Sequence, residues 1–599
     1  MSLYAYLSIG TSLPLNRIAG LSFGYNCLAG EILMDWLQLA VFLIVVILLV
    51  KPVGLYIGKV LDPNERTFLD CVLKPIEKCI YRCSGIEPHH EQNWKEYLFS
   101  LLGFSLISTI FVYVLLAVQY YLPLNPQKFA APSWHLNLNT SLSFMTNTNW
   151  QSYGGESTYS YLSQMVALVV QNFVSAAVGL AVAAALVRGI ARHASHTIGN
   201  FWADLVRICL YLLLPISIVA ATLFIANGVP QNFQSYVKAQ TLEGTTQLIA
   251  QGPIASQEAI KLLGTNGGGY TNANSAHPYE NPTPLANFIQ LLLIFLIPTG
   301  QIYYFGKSVK DTRHGWCIFA ALAVVFVLGV WVCSHCETVG NPQMEQLGLT
   351  GGNWEGKEQR FGIFGSALYA CVTTVVSCGA VNCCHDSLTP MGGFIPMLNI
   401  QLSEVIFGGV GAGLYSVLLF VFLAIFVSGL IIGRTPEYLG KKIESFDIKM
   451  TMLALLPFVL VVHALTCWGV FSDWGLKGLG NTGPHGFSEI LYAFSSCAAN
   501  NGSAFAGLSA NTPAYNLTLA VAMTLGRFLV IAPIIALAGS FARKKMHPKN
   551  AGSFPVSSFV FISLLIGVIL LVGALTFLPA LTMGPIIEQF FMLKGVLSS

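Results

Sequence analysis

Long apolar runs separated by polar loops dominate this chain. Ten of the runs are long enough to cross a bilayer, since a membrane-spanning helix needs about 20 mostly apolar residues. Their approximate ranges are 36–58, 97–120, 161–188, 204–227, 285–306, 315–333, 400–432, 451–471, 516–541 and 556–579. The pattern predicts an all-α integral membrane protein with about ten transmembrane helices.

Four of the polar loops share a Gly- and Asn-rich turn that follows a short segment that could be helical and lies between two predicted spans. The turns are FMTNTNWQSYGGES from Phe144, LLGTNGGGYTNANSAH from Leu262, TVVSCGAVNCCHDS from Thr374 and CAANNGSAFAGLS from Cys497. We align them on four tripeptides 118, 112 and 123 residues apart: Asn147-Thr148-Asn149, Thr265-Asn266-Gly267, Ser377-Cys378-Gly379 and Asn500-Asn501-Gly502. This spacing predicts four repeats of span, short pore helix, turn and span around a pseudo-fourfold axis.

The four turns fit an ion-selectivity filter. Non-helical backbone survives at membrane depth only where it is buried in protein or lines water. Four turns around an axis could direct backbone carbonyls inward and replace a cation's hydration shell. Glycine supplies the positive φ that this needs, and Asn149 is a residue type that tolerates it. The tripeptides contain no Asp, Glu, Lys or Arg, so we expect potassium bound by neutral carbonyls; four ordinary surface turns are the alternative.

The repeats predict the domain boundaries. The first span and a cytoplasmic loop occupy 34–96, and the final span with the C-terminus occupies 546–599. The four repeats between them occupy 97–190, 200–308, 314–450 and 451–545. Residues 1–33 form an N-terminal extension, which we interpret as a mis-assigned start, with a signal peptide as the alternative.

Composition and charge support the membrane assignment. Only 10% of the residues are charged, against about 25% in soluble proteins. Lys and Arg concentrate in alternate loops, which places both termini and the long Gly- and Asn-rich loops outside. No basic cluster is interleaved with aromatic residues, so nucleic acid is not an expected partner. The 14 cysteines are scattered, and the Cys333–Cys336 CxxC has no second ligand pair, which favours packed thiols over zinc.

Several residues outside the tripeptides are candidates for the ion pathway. Glu404 falls in predicted span seven just before GGVGAG, where a carboxylate beside a glycine-rich break could form a mobile element. The alternative for Glu404 is tight helix packing with a paired carboxylate. Arg527 falls in span nine, where it either sets an electrostatic barrier or pairs with a carboxylate such as Glu404. Gln151 and Arg434 complete the pathway candidates.

Other motifs change the picture less. Glu156 and Asp386 each follow a tripeptide by seven residues and could concentrate cations at the filter mouth, although solvated surface residues are the alternative. GQIYYFGKS from Gly300 lacks the spacing of a phosphate loop. The DKTG motif of a phosphorylated pump is missing from the sequence, so we expect this chain neither to bind nor to hydrolyse ATP.

Four segments carry a specific resemblance. TNGGGYTNANSAHPYENPTP from Thr265, SCGAVNCCHDS from Ser377, NNGSAFAGL from Asn500 and GRTPEYLGKKIE from Gly433 resemble the potassium-binding A chain of the bacterial Kdp potassium-transporting ATPase. The resemblance covers nearly everything from Met34 onward. It implies a complex in the bacterial inner membrane, with an ATP-hydrolysing P-type B chain, a C chain and a small F chain as partners. It also implies that the A chain captures external potassium and passes it to the B chain through an intramembrane tunnel.

Two other functions fit parts of the sequence. A stand-alone potassium channel or potassium symporter with the same repeats would explain the filter equally well. A membrane-embedded enzyme is the third hypothesis, but the chain has no nucleophile–base or metal constellation of recognisable spacing.

Overall fold

The structure, a computed structural model, describes residues 18–433, 435–547 and 554–596, with side chains described from residue 33 apart from residue 432. Ten helices in these ranges are long and apolar enough to cross a membrane, which confirms the predicted number. They are Leu33–Leu61, Trp94–Ala117, Ser163–Ala191, Phe201–Ala226, Pro284–Ser308, Thr312–Gln346, Ala412–Ile431, Ser445–Val470, Pro513–Arg543 and Phe559–Lys594.

Most of the described chain is helical. The α-helices are α1 Ile18–Leu61, α2 Asp70–Ser84, α3 Trp94–Ala117, α4 Trp134–Met145, α5 Gly155–Thr158, α6 Val170–Ala191, α7 Phe201–Arg207, α8 Leu214–Ala226, α9 Ile254–Leu263, α10 Pro284–Ser308, α11 Thr312–Val339, α12 Pro342–Gln346, α13 Gly362–Val375, α14 Pro390–Gln401, α15 Ala412–Ile432, α16 Ser445–Val470, α17 Asp473–Leu476, α18 Gly483–Ala499, α19 Pro513–Arg543, α20 Phe559–Leu581 and α21 Ile587–Lys594. Three π-helical segments, Ser163–Val169, Ile208–Leu213 and Thr582–Ile586, and two 3-10 turns, Gln119–Tyr121 and Asn274–Ala276, join or flank these helices. The chain also has two antiparallel hairpins: β1 Val237–Gln240 with β2 Thr246–Ile249, and β3 Glu437–Tyr438 with β4 Lys441–Lys442.

The chain divides into two compact units within α1. Met1–Ile47 form the smaller unit, of which the structure describes only the N-terminal part of α1. Leu48–Ser599 form the larger unit, which contains all four predicted filter turns.

Four short helices, α4, α9, α13 and α18, precede the four turns. They contain 12, 10, 14 and 17 residues, too few to cross a bilayer. Each ends at or within two residues of its tripeptide, so the partly negative C-terminal end of each helix meets the turn. The predicted pore helices are therefore present in every repeat.

Three of the four helices that follow the turns begin with the same Thr-Pro signal. Thr389, Thr283 and Thr512 each accept a backbone N–H bond with the side-chain oxygen, and proline occupies the next position. Threonine caps the free N–H groups of a helix start, and proline has the φ that the first helical residue needs. This local chemistry determines where the chain re-enters a helix after each of these turns.

The prediction of one continuous span over 400–432 is wrong. Helix α14 ends at Gln401 and α15 begins at Ala412, so Glu404 lies in a non-helical break and not within a membrane-spanning helix. The glycines allow the break to fold tightly: a Cβ on Gly411 would lie 2.0 Å from the carbonyl carbon of Gly179. A Cβ on Gly413 would lie 1.7 Å from the carbonyl oxygen of Phe407. We call residues 402–411 the break.

Candidate functional site

The four tripeptides share a left-handed first position, and all but the third copy, with Gly379, also have a left-handed third position. The first position is left-handed in all four copies, with φ of 66° at Asn147, 49° at Thr265, 56° at Ser377 and 62° at Asn500. A β-branched residue such as Thr265 is rare in this region, so the surrounding structure must impose it. The third position has φ of 55° at Asn149, 101° at Gly267 and 92° at Gly502. The sequence indicated the glycines but not the non-glycine residues at the first position.

The last turn of each pore helix fixes the tripeptide that follows it. In every copy, the N–H of the second tripeptide position donates to the carbonyl oxygen of the residue four before the first position. The donor–acceptor distances are 3.0 Å for Thr148 to Ser143, 2.9 Å for Asn266 to Lys261, 3.0 Å for Cys378 to Thr373 and 2.9 Å for Asn501 to Ser496. The same backbone hydrogen bond therefore holds the second tripeptide position in all four copies.

Side chains and close backbone contacts join neighbouring copies into a ring. Asn147 Nδ2 donates to the carbonyl oxygen of Thr265, 3.2 Å away, and links copies one and two. Ser377 Oγ donates to the carbonyl oxygen of Asn500 at 3.3 Å, and Asn500 Nδ2 donates to Thr148 Oγ1 at 2.9 Å. These bonds link copy three to four and copy four to one.

The three glycines at the third positions leave no room for side chains. A Cβ on Gly267 would lie 2.0 Å from the backbone nitrogen of Gly379, which closes the ring between copies two and three. A Cβ on Gly379 would lie 2.6 Å from the carbonyl carbon of Gly502, and one on Gly502 would lie 1.8 Å from the carbonyl oxygen of Thr148. Asn149 is accommodated because its side chain turns away and donates to Asn172 Oδ1 at 2.6 Å. The four turns thus surround a common axis.

Gln151 and Glu156 lie in the segment that follows the tripeptide of copy one. Gln151 bonds both backbone groups of Gly269, donating to its oxygen at 3.0 Å and accepting from its nitrogen at 2.9 Å. The Glu156 carboxylate accepts from the backbone N–H of Asn272 at 3.0 and 3.1 Å. Both side chains tie copy one to the post-tripeptide loop of copy two.

Asp386 belongs to a second cluster, formed with His485, Glu489 and Glu588. His485 Nε2 lies 2.9 Å from Asp386 Oδ1, and Nδ1 lies 2.7 Å from Glu588 Oε1. Burial alone would lower the pKa of His485, but the hydrogen bonds to the two carboxylates raise it to about 10. Ligand-type atoms of Asp386, His485 and Glu489 lie within 4.8 Å of one another. Since both ring nitrogens face carboxylates, the protonated imidazole acts as a link between repeat three, α18 and α21.

The break lies against the first tripeptide position of copy two and the last residue of pore helix α13 in copy three. The N–H of Val410 donates to Thr265 Oγ1 at 3.0 Å, and the N–H of Gly408 donates to the carbonyl oxygen of Val375 at 2.9 Å. Gln301 of α10 donates to the oxygen of Gly409 at 3.2 Å and accepts from the N–H of Gly411 at 2.8 Å. Gln301 is part of GQIYYFGKS, and its clamp on the break was missed because no local pattern indicates it.

A cavity of about 50 Å³ next to the break contains both charged pathway candidates in its lining, Glu404 and Arg527. This volume holds a few water molecules. Asn500, the first tripeptide position of copy four, also lines it. Among the described ion pairs, none joins Arg527 to Glu404; the guanidinium instead donates to the carbonyl oxygen of Ser175 at 3.3 Å. The cavity therefore connects the ring of turns to a buried carboxylate and a buried guanidinium.

The remaining predicted residues have different outcomes. Arg434 lies outside the described residues. Cys333 is buried in α11, and its thiol donates to the carbonyl oxygen of Gly392 at 3.6 Å, which fits packing. Lys261, four residues before Thr265 in α9, was missed: a lysine in a short apolar helix was the available signal, and its side chain is fully buried.

Comparison with known proteins shows what this sequence is similar to. The family described as potassium-transporting ATPase A subunit matches residues 40–590. The potassium-transporting ATPase potassium-binding subunit of Solibacter usitatus is 55% identical over 94% of this chain and 99% of its own length. The protein of that description from Granulibacter bethesdensis is 53% identical over 94% of this chain and 99% of its own length. The potassium transporter TrkH from Vibrio parahaemolyticus aligns with 85% of this chain and 96% of its own at 14% identity, with a TM-score of 0.48.

Proposed function

Because this chain belongs to the potassium-transporting ATPase A subunit family, we propose that it is the potassium-binding and potassium-translocating subunit of an ATP-driven uptake complex. The observation that carries the proposal is the closed ring of four equivalent turns with left-handed first positions. We place the complex in the bacterial inner membrane, with the ring open to the outside.

Potassium binds in this ring through backbone carbonyls of the twelve tripeptide residues. Neutral carbonyl dipoles can replace the hydration shell of a monovalent cation, whereas a ring of carboxylates would suit other cations. The four pore-helix C-termini add partial negative charge near the ion without a titratable group. The close approach of the third positions holds neighbouring copies in contact, so the carbonyls are held in place before the ion arrives.

Beyond the ring, the cavity at the break forms the first part of the exit path. A cation that leaves the first tripeptide positions meets Glu404, whose carboxylate attracts it. Arg527 lines the same cavity and opposes further movement of a cation along that direction. The ion is thereby directed sideways into a tunnel toward the ATP-hydrolysing partner, and Arg527 acts as the barrier.

The chain works within a complex. The sequence has neither a phosphate loop nor the DKTG motif, so ATP hydrolysis belongs to a P-type B chain, with a C chain and a small F chain as further partners. Lipid contacts the apolar faces of the spans. We assign 97–190, 200–308, 314–450 and 451–545 as the four repeats of this subunit.

Co-purification tests the proposal. The tagged chain is expressed with its operon neighbours, and the ATPase activity of the purified product is measured with potassium and with sodium. We expect co-purifying partners and ATPase activity that potassium stimulates and sodium does not. Purification of the chain alone, with ATP-independent potassium flux after reconstitution in vesicles, would instead identify a stand-alone channel or symporter.

A further inference from the structure

The side chain four residues before each tripeptide carries a hydroxyl in copies one, three and four and an ammonium in copy two. Ser143 Oγ donates to the carbonyl oxygen of Trp150 at 2.9 Å, and Ser496 Oγ accepts from the N–H of Gly502 at 3.1 Å. Thr373 Oγ1 donates to the carbonyl oxygen of Cys378. In copies one, three and four, this side chain therefore holds the backbone of its own turn directly. Lys261 occupies the position in copy two.

The side chain of Lys261 reaches the turn of copy two through one intermediate residue, Asn274. Its Nζ donates to Asn274 Oδ1 at 2.8 Å, and Asn274 Nδ2 donates to the carbonyl oxygen of Gly267 at 2.9 Å. The N–H of Ser275 also donates to Asn274 Oδ1, at 2.8 Å. Because these two donors occupy the amide oxygen, the Asn274 amide cannot turn its nitrogen away from Gly267 without losing both bonds. The result is a fixed line of hydrogen bonds from a buried ammonium to the third tripeptide position.

The charge of Lys261 is balanced within the same network. Nζ lies 2.5 Å from Glu258 Oε1 and 3.0 Å from Glu280 Oε2, and all three side chains are fully buried. Burial and the Glu280 carboxylate raise the pKa of Glu258 well above its ordinary range. Burial would also raise the pKa of Glu280, but Lys261 and Thr271 lower it to about 2. The ammonium of Lys261 thus faces two carboxyl groups, which balance its positive charge beside the cation site.

We propose that Lys261 is a positioning residue of the filter: through Asn274 it fixes the direction of the Gly267 carbonyl and thereby contributes to ion preference. The inference rests on the proposed filter function. Glu280 is the counter-ion that allows a lysine to be buried there, since an unpaired buried charge costs several kcal/mol. In copy two an ionic network anchors the Asn274 amide that bonds the Gly267 carbonyl, whereas in the other copies a hydroxyl bonds the backbone directly.

Two variants interrupt the line at different points. Asn274→Ala removes the bond to Gly267 and leaves the Lys261–Glu280 ion pair in place. The double variant Lys261→Met/Glu280→Gln removes the ammonium and the Glu280 counter-ion together. Lys357→Met/Glu337→Gln is the matched control, because that Lys–Glu pair is also fully buried at 2.7 Å. Its carboxylate accepts from Asn353 and Thr389 of repeat three, outside the tripeptides.

The assay is the ATPase activity of each purified complex, titrated with potassium, rubidium and sodium. We expect Asn274→Ala and Lys261→Met/Glu280→Gln each to raise the half-activating potassium concentration about three- to tenfold, the size expected for one lost hydrogen bond of about 1 kcal/mol. Both variants should also bring the half-activating concentrations of rubidium and sodium closer to that of potassium. A triple variant that combines Asn274→Ala with Lys261→Met/Glu280→Gln should have nearly the same half-activating potassium concentration as either variant alone, because both interrupt the same line of hydrogen bonds. The control should lower the thermal unfolding temperature without changing the ion ranking.

Three results overturn the inference. Unchanged ion ranking in assembled Asn274→Ala complex refutes it, provided that Gly267→Asp changes the ranking; if Gly267→Asp does not, the filter proposal itself fails. Additive effects of the two interruptions would show that they act separately. If neither Asn274→Ala nor the double variant assembles into a complex, the network has only a structural role.

Discussion

Gly267→Asp is the substitution that tests the ring of turns most directly. Gly267 has φ of +101°, and an added Cβ would lie 2.0 Å from the nitrogen and 2.2 Å from the Cα of Gly379. Both atoms are backbone, so the new side chain cannot be accommodated by a rotamer change. Copy three must move away from copy two, and the carbonyls of both copies move with it.

The magnitude follows from two contributions. A non-glycine residue in this backbone region costs about 1–2 kcal/mol, and overpacking a tight site costs about 1–3 kcal/mol. The second contribution acts on the ion-binding carbonyls. If the whole overpacking cost destabilises the potassium-bound state, the affinity for potassium falls about five- to 150-fold, since 1.4 kcal/mol corresponds to a factor of ten. The added carboxylate replaces a neutral site with a charged one, which favours smaller cations and weakens the rejection of sodium.

The measurement is the activation of purified complex by potassium, rubidium and sodium, with wild type beside the variant. Gly228→Asp is the matched control, because Gly228 also has φ of +101° but has no atom within 4 Å of an added Cβ. Gly228→Asp should lower the thermal stability through the same backbone strain and leave the potassium affinity and the ion ranking unchanged. Gly267→Ala separates the steric effect from the carboxylate. If Gly267→Asp assembles with wild-type affinity and wild-type ion ranking, the turn is a surface feature and the filter assignment is wrong.

Three further predictions concern residues away from the ring. Glu404→Gln should slow potassium-dependent turnover while leaving the half-activating potassium concentration within about twofold, because the carboxylate lies at the break; an unchanged turnover rate would remove it from the pathway. Arg527→Ala should leave the subunit composition intact and alter the ratio of potassium flux to ATP hydrolysis, whereas loss of the complex would indicate that the bond to Ser175 serves packing. The His485 pKa of about 10 exceeds the ordinary 6.5, so the stabilisation from its carboxylate bonds is complete below pH 6.5 and is lost as the pH rises toward 10. Wild-type complex should therefore lose thermal stability between pH 7 and 10 more steeply than His485→Gln, and parallel pH profiles would contradict the link.

Features that depend on local chemistry were predictable from the sequence. The ten spans and the four short pore helices follow from run length and hydropathy, because a bilayer requires each span to be continuous and apolar. The shared turns were visible in the glycines and asparagines of the tripeptides and in the absence of charge. Asn149 was correctly expected to tolerate the left-handed conformation, and the structure adds that Asn172 holds its side chain.

Only the tertiary structure decided how these elements meet. The glycines after Glu404 indicated a break in the predicted span over 400–432, but hydropathy does not distinguish a buried non-helical segment from a span, so the helix ends at Gln401 and Ala412 came only from the tertiary structure. Lys261 and Gln301 stood in apolar segments without a motif, and their roles come from hydrogen bonds to Asn274 and the break. Arg527 bonds Ser175, 352 residues away in the chain, rather than the Glu404 that charge alone would suggest. Hydropathy acts residue by residue, whereas the direction of a carbonyl depends on contacts between repeats more than 100 residues apart, which spacing along the chain does not determine.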